Sequence, residues 1–123
     1  MTNASYDVVI IGGGVIGSST AYFLASQPDF QGRIAVIEKD STYEAAATPR
    51  SAGGVRQQFS TPENVVISQF AAEFYKSIEE RLSVGNEKPA INFRENGYLF
   101  LATHGGLKTL LANHRVQHEY GAQ

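Results

Sequence analysis

Two short apolar runs flank a helical pattern in the first forty residues. Residues 6–11 (YDVVII) form an almost continuous β-branched run, which predicts a strand buried on both faces of a parallel sheet. From Val15 the apolar residues suit a helix that packs on that sheet, and residues 33–38 (RIAVIE) predict a second strand. The linker before this second strand contains Pro28 and Gly32, which suit a helix end and a turn. The order predicts a βαβ unit with a right-handed crossover.

A longer helical pattern begins at Thr61. Threonine is a favoured N-cap, Pro62 suits the first helical position and Glu63 places an acid in the first turn. Apolar residues then recur at steps of three and four, which predicts one packing face. This predicted face consists of Ile67, Phe70, Ala71, Phe74, Ile78 and Leu82.

The last third of the chain predicts a hairpin and a final helix. Residues 83–89 form a polar segment that is typical of a boundary. Residues 91–93 and 98–102 are predicted as short strands, joined through a loop that ends in Asn96-Gly97, a frequent hairpin signal. A final helix is predicted to place Leu107, Leu110, Leu111, His114 and His118 on one face.

The glycine spacing within the βαβ unit indicates a dinucleotide site. Gly12 permits the tight turn off the strand, Gly14 lets a pyrophosphate approach the backbone, and Gly17 lets the helix pack closely on the strand. The pyrophosphate then meets free N–H groups and the positive end of the helix dipole. The predicted cofactor contacts of this loop are Gly12, Gly13, Gly14, Val15, Ile16 and Gly17.

An acid completes the predicted site. Glu38 ends the second strand, where a carboxylate can bind the ribose hydroxyls of an adenosine. An acid at this position argues against NADP and leaves both FAD and NAD open. The alternative is a tight turn in a cofactor-free α/β protein. Lys39, which follows the acid, is assigned to the adenine side, with a solvated strand-end lysine as the alternative.

Composition and charge exclude several classes of protein. The chain has 123 residues, a net charge of -2 and scattered basic residues, so nothing indicates a nucleic-acid surface. No apolar run approaches the length of about 20 residues that a membrane span needs. Cysteine is absent, and a catalytic zinc would need a third ligand beside His114 and His118, so no metal site is predicted. A polar N-terminus without a leader pattern predicts a cytoplasmic protein.

Three segments resemble one family of flavoenzymes. GGGVIG, the acid-ended IAVIEK and the later SAGGVRQQFSTPEN are similar to the N-terminal part of FAD-dependent oxidoreductases of the D-amino-acid oxidase type, which include glycine, sarcosine and dimethylglycine oxidases. Residues 50–82 and NGYLFLAT resemble in particular the subgroup with a mitochondrial member linked to complex I assembly. That resemblance would also allow a mitochondrial location.

The resemblance implies further cofactor contacts. In the family the small-residue segment passes beside the flavin, which assigns Ser51, Ala52, Gly53 and Gly54 to FAD; a surface loop is the alternative. Arg56 lies where some relatives place a basic residue near the isoalloxazine ring, and a cation there would stabilise the anionic reduced flavin. A solvated or phosphate-pairing arginine is the alternative. Relatives that tether FAD covalently carry a histidine where this chain has Thr48-Pro49-Arg50, so non-covalent FAD is expected.

The resemblance implies an α/β fold with two parts. Residues 5–83 correspond to the N-terminal part of a Rossmann-like, GR2-type FAD-binding domain, and residues 84–123 to the first hairpin of an antiparallel substrate domain. Family members are about three times longer, so the missing C-terminal portion or a partner subunit would complete the fold. Two hypotheses follow: a flavoenzyme that oxidises a small amine or amino-acid-like substrate, or a non-catalytic fragment or assembly protein that retains the βαβ unit.

Overall fold

A computed structural model describes residues 5–122 of the chain. The chain divides into two compact units, the first ending at Gly54 and the second beginning at Val55. The predicted division of the parent fold at residues 83 and 84 concerns the longer relatives and stays a prediction.

The first unit is the predicted βαβ unit. Strand β1 (Val8–Ile11) leads into helix α1 (Val15–Ala25), which returns the chain to strand β2 (Ile34–Ile37). The two strands are parallel, with Val8 opposite Ile34 and Ile11 opposite Ile37. The α/β class is therefore confirmed. Both strands are shorter than the apolar runs that predicted them.

Within residues 5–54, a helix covers one face of this two-stranded sheet and none covers the other. Ile10 faces α1, since its Cγ2 atom would lie 3.1 Å from a Cβ atom on Gly17. The alternate residues Val9 and Ile11 point to the other face and are 52% and 78% exposed. The prediction of strands buried on both faces is therefore wrong for this chain. Continuous apolar runs identify strands that need two covering layers, and this unit supplies one.

The second unit is helical. It contains α2 (Pro62–Lys76), the short α3 (Ile78–Leu82), a 3-10 turn (His104–Gly106) and α4 (Leu107–Glu119). Helix α2 begins at Pro62 as predicted, with Thr61 in the extended N-cap conformation. The backbone leaves the helical region at Ser77, whose hydroxyl donates a hydrogen bond of 2.8 Å to the Glu73 carbonyl. The predicted single helix is therefore two.

Helix α2 buries the face opposite the predicted one. Val65 and Ala72, two turns apart, are 0% and 4% exposed and are the buried apolar residues of the described chain. Ile67 and Phe70, from the predicted face, are 63% and 56% exposed. Helix α4 packs against α2, and these helices approach through the side with Gln69, whose Nε2 atom donates to the Tyr120 carbonyl at 2.8 Å. The pattern identified an apolar stripe correctly, but not which side this unit covers.

The predicted hairpin is not formed. Residues 91–93 and 98–102 contain no strand, and the antiparallel pairing described near them is one bridge between Val84 and Glu87. Asn92 has a φ of +50°, which interrupts the extended backbone that the first strand would need. An isolated two-stranded hairpin is marginal in water without a third strand or a covering helix. The hairpin prediction is therefore wrong for this chain.

Among residues 5–122 no helix is long and apolar enough to cross a membrane.

Candidate functional site

The glycine-rich loop lies at the carboxyl end of β1, beside the end of β2. Gly12 has a φ of +99°, a conformation that favours glycine. Its N–H donates a hydrogen bond of 2.8 Å to the Ile37 carbonyl, the last residue of β2. The turn is therefore tied to the neighbouring strand before α1 begins.

Two glycines of the loop face opposite environments. A Cβ atom on Gly17 would lie 1.9 Å from the Gly12 carbonyl oxygen, so the helix approaches the turn as closely as a glycine allows. A Cβ atom on Gly14 would meet nothing within 4 Å. Gly17 thus serves helix packing, and Gly14 leaves open space in front of the backbone.

The first turn of α1 can receive an anion. Gly14 is the N-cap, and because glycine has no side chain, no N-cap side chain occupies the N–H groups at the start of the helix. The first turn contains no acidic residue. Backbone N–H groups at a helix start lack intrahelical acceptors and carry the positive end of the helix dipole. The open space at Gly14 therefore borders donors that suit a phosphate group.

The Glu38 carboxylate holds the loop from the other strand. Its Oε2 atom accepts the Gly13 N–H at 2.7 Å, and its Oε1 atom accepts the Asp40 N–H at 2.9 Å. The Asp40 N–H, followed by the Gly13 N–H, lowers the pKa of the Glu38 carboxyl below its ordinary value of 4.5. A carboxylate has about four acceptor positions, so two remain for ribose hydroxyls while the loop stays anchored.

These hydrogen bonds predict an acid-sensitive loop. A group whose pKa is lowered on folding stabilises the folded state above its unfolded pKa, and this contribution is lost as pH falls through the folded pKa. The Glu38→Gln variant should therefore be less stable than the wild type at pH 7. This difference should shrink as pH falls below 4.5. Urea unfolding at pH 7 and pH 3 measures both free energies, and a difference that stays constant with pH would contradict the prediction.

Three residues of this site were missed by the sequence interpretation. The Ser18 hydroxyl donates to the Gly13 carbonyl at 2.6 Å, which fixes the loop to α1. The Asp40 carboxylate accepts the Thr42 hydroxyl at 2.6 Å. The Tyr43 hydroxyl oxygen lies 2.9 Å from the position of a Cβ atom on Gly13. The signal for the last two was the turn-forming DSTY segment directly after the strand acid.

The small-residue segment, residues 51–54, forms an exposed turn at the end of the first unit. The Ser51 N–H donates to the Thr48 carbonyl at 3.1 Å, and the Gly53 N–H donates to the Ser51 hydroxyl at 3.1 Å. Gly53 has a φ of +64°. Ser51, Ala52, Gly53 and Gly54 are exposed, as is Lys39. These hydrogen bonds are local and do not join the segment to the glycine-rich loop.

Arg56 belongs to the second unit and lies against aromatic rings. Its guanidinium carbon is 4.6 Å from the ring centroid of Phe59 and 5.7 Å from that of Phe100. Both distances are within the range of cation–π attraction. The guanidinium group is therefore stacked on neighbouring rings, and the residue remains exposed to solvent.

The two helix histidines lie one turn apart on α4. The rings of His114 and His118 lie 6.1 Å apart along α4. Within the described part of the chain, no group of three or more His, Cys, Asp or Glu residues could hold a metal ion.

Comparison with known proteins identifies the family. The profile of the family described as "FAD dependent oxidoreductase" matches residues 7–123, so the chain belongs to this family. It is 49% identical over 120 residues to "FAD-dependent oxidoreductase domain-containing protein 1" of Xenopus laevis, covering 95% of this chain and 24% of that protein. The homologue of Drosophila melanogaster is 43% identical over 117 residues, covering 95% of this chain and 22% of that protein.

A shorter match reaches a bacterial protein. Over 53 residues the chain is 49% identical to "Hydrogen cyanide synthase subunit HcnC" of Pseudomonas aeruginosa, covering 43% of this chain and 12% of that protein. No solved structure gives a significant match. The chain therefore spans about a quarter of the length of the FAD-dependent oxidoreductase domain-containing relatives.

Proposed function

We propose that this chain binds FAD non-covalently through the glycine-rich loop and Glu38, as the N-terminal part of an FAD-dependent oxidoreductase. The observation that carries the proposal is the open space at Gly14 beside the start of α1, with the Glu38 carboxylate accepting the N–H of Gly13, the preceding residue of the same loop. Family membership supplies the dependence on FAD.

The residues present fit the two polar groups of the adenosine diphosphate half. The diphosphate would lie at Gly14 and the N–H groups of Val15, Ile16 and Gly17, where the dipole of α1 favours negative charge. The ribose would lie at Glu38, whose carboxylate keeps free acceptor positions. Gly12 and Gly17 would shape the loop. We assign Lys39 to the adenine side of the cofactor and, from the family resemblance, Ser51, Ala52, Gly53 and Gly54 to the flavin side.

A non-covalent cofactor agrees with the chemistry available in the chain. Cysteine is absent. The three histidines are His104, His114 and His118, and all lie in the 3-10 turn or in α4 of the second unit. The small-residue segment of the first unit therefore offers no histidine or cysteine to attach a flavin.

We propose oxidation of a small amine or amino-acid-like substrate as the reaction of the longer parent protein. When bound, FAD supplies the acceptor for a hydride from the C–H group next to the amine. The residues of this chain bind and orient the cofactor. Arg56, with a permanent positive charge, is assigned to stabilise the negative charge of the reduced flavin.

Visible absorption spectroscopy tests the proposed cofactor. The purified chain, incubated with FAD and separated from free ligand, should retain a yellow flavin band, and excess NAD should not displace it. Acid precipitation should release the flavin into the supernatant, because the binding is non-covalent. A folded chain that retains no flavin, or loses it to NAD, would contradict the proposal. Flavin in the acid precipitate would contradict the non-covalent part alone.

A further inference from the structure

Tyr43 has an unusual backbone conformation next to the proposed cofactor site. Its φ is +58°, and it is one of two residues other than glycine with a positive φ among residues 5–122. This region is sterically unfavourable for a bulky side chain. Unfavourable backbone conformations persist where the surroundings hold them, and they cluster at functional sites. Tyr43 is therefore a candidate for a functional role beside this site.

The turn that carries Tyr43 is fixed by hydrogen bonds on both sides. The Tyr43 N–H donates to the Asp40 carbonyl at 3.2 Å, and the Tyr43 carbonyl accepts the Ala46 N–H at 3.0 Å. Before it, the Asp40 carboxylate accepts the Thr42 N–H at 3.0 Å and the Thr42 hydroxyl at 2.6 Å. The Thr42 hydroxyl also lowers the pKa of the Asp40 carboxyl. The phenol ring is thus attached to an ordered turn that begins directly after Glu38 and Lys39.

The phenol lies at the corner that Gly13 and Glu38 form. A Cβ atom on Gly13 would stand 2.9 Å from the Tyr43 hydroxyl oxygen and 3.1 Å from the Glu38 Cβ atom. Gly13 is buried, and its N–H is the one that the Glu38 carboxylate accepts. Tyr43 remains 38% exposed, so part of its surface is accessible to a ligand. The absence of a side chain at Gly13 is what admits the hydroxyl to this corner.

We propose that Tyr43 is an adenosine-binding residue, whose phenol forms one wall of the pocket that receives the nucleoside end of the cofactor. This inference rests on the proposed function, since it takes Glu38 as the residue that binds the ribose. An adenine attached to that ribose comes within reach of an aromatic ring at the same corner, and aromatic rings bind bases by stacking. The Tyr43 hydroxyl can donate one hydrogen bond and accept others.

Two substitutions separate the ring from the hydroxyl. Tyr43→Phe removes only the hydroxyl. Tyr43→Asn removes the ring and keeps a residue that tolerates the left-handed backbone. By isothermal titration calorimetry, Tyr43→Asn should weaken ADP and FAD binding roughly tenfold. Tyr43→Phe should weaken both by about threefold, the contribution of one hydrogen bond. Binding of inorganic pyrophosphate, which lacks the nucleoside, should not change.

Tyr6→Asn is the matched control. Tyr6 belongs to the same unit, is 47% exposed and stacks with Arg33 at 4.9 Å, just before the amino ends of the two strands. This variant should bind ADP and FAD as the wild type does.

The outcomes separate the inference from the proposed function. Unchanged or tighter ADP binding by Tyr43→Asn, with normal binding by the wild type, would overturn the inference and leave the FAD site intact. Equal weakening for pyrophosphate would overturn it as well, because the effect would then not be specific to the nucleoside. A wild type that binds neither ADP nor FAD would overturn both proposals together. If Tyr43→Asn does not fold, Tyr43→Gly takes its place, because glycine also lacks the ring and tolerates a positive φ, and unchanged ADP affinity in that variant overturns the inference.

Discussion

The Gly17→Ala variant is expected to lose about 3 kcal/mol or more of the free energy of unfolding of the first unit. A Cβ atom at this position would lie 1.9 Å from the Gly12 carbonyl oxygen and 3.1 Å from Ile10 Cγ2. The first neighbour is backbone, so it cannot rotate away as a side chain would. Helix propensity alone predicts the opposite sign, since alanine is favoured over glycine by about 1 kcal/mol within a helix. The sign of the change therefore shows which effect dominates.

Urea unfolding followed by circular dichroism measures this loss, and Gly14→Ala is the control. Gly14 has an ordinary φ of -64°, and a Cβ atom there meets nothing within 4 Å. Its cost should stay below about 1 kcal/mol, the difference between glycine and alanine as an N-cap. Amide hydrogen exchange at Gly12, whose N–H donates to Ile37, should accelerate in Gly17→Ala and not in Gly14→Ala. Equal stability of both variants would contradict close packing of α1 on the turn.

The βαβ unit was predictable because its determinants are local. A β-branched run, a glycine turn and a helical pattern follow one another within the first forty residues, and each element is formed by neighbours in the sequence. The start of α2 at Thr61 and Pro62 was predictable for the same reason. The turn at Gly12, the open space at Gly14 and the close packing at Gly17 also follow from the spacing, because a tight turn before a helix leaves few possible geometries.

The hairpin prediction was wrong because a strand needs a neighbouring strand that its own sequence does not supply. Residues 98–102 have strand composition, yet Leu99 and Leu101 are 84% and 87% exposed. In a sheet these apolar side chains would be stabilised by cross-strand neighbours and a covering layer. The second unit provides neither within residues 55–122. Composition therefore reports the environment for which a segment is suited, not the one that this chain builds.

The prediction of which face of α2 is buried was wrong for a related reason. Periodicity locates an apolar stripe, but burial depends on which side another element contacts, here the side with Val65 and Ala72. Tyr43 was missed because its relation to Gly13 arises from a turn with a positive φ, which no propensity assigns to a tyrosine. Both cases depend on geometry between elements rather than within one.

The Gly14→Val variant is expected to bind FAD with an affinity roughly a hundredfold lower, or weaker still, while keeping the fold. The position of a Cβ atom on Gly14 is open space in the folded chain, so the substitution should cost little stability. That same space is where the diphosphate would approach the start of α1. A valine there would separate the phosphate oxygens from the backbone donors, and each hydrogen bond lost to a charged group costs about 1.5–3 kcal/mol.

Gly105→Val is the control for this loss. Gly105 lies in the 3-10 turn of the second unit, and a Cβ atom on it also meets nothing within 4 Å, so the same side chain is added at an open position outside the proposed site. Flavin titration with both variants, together with circular dichroism for folding, distinguishes two causes of weak binding. Loss in Gly14→Val alone, with both folded, is the result of a blocked diphosphate site. Wild-type affinity for FAD in both variants would place the cofactor elsewhere, because a diphosphate at the start of α1 cannot share its space with a valine.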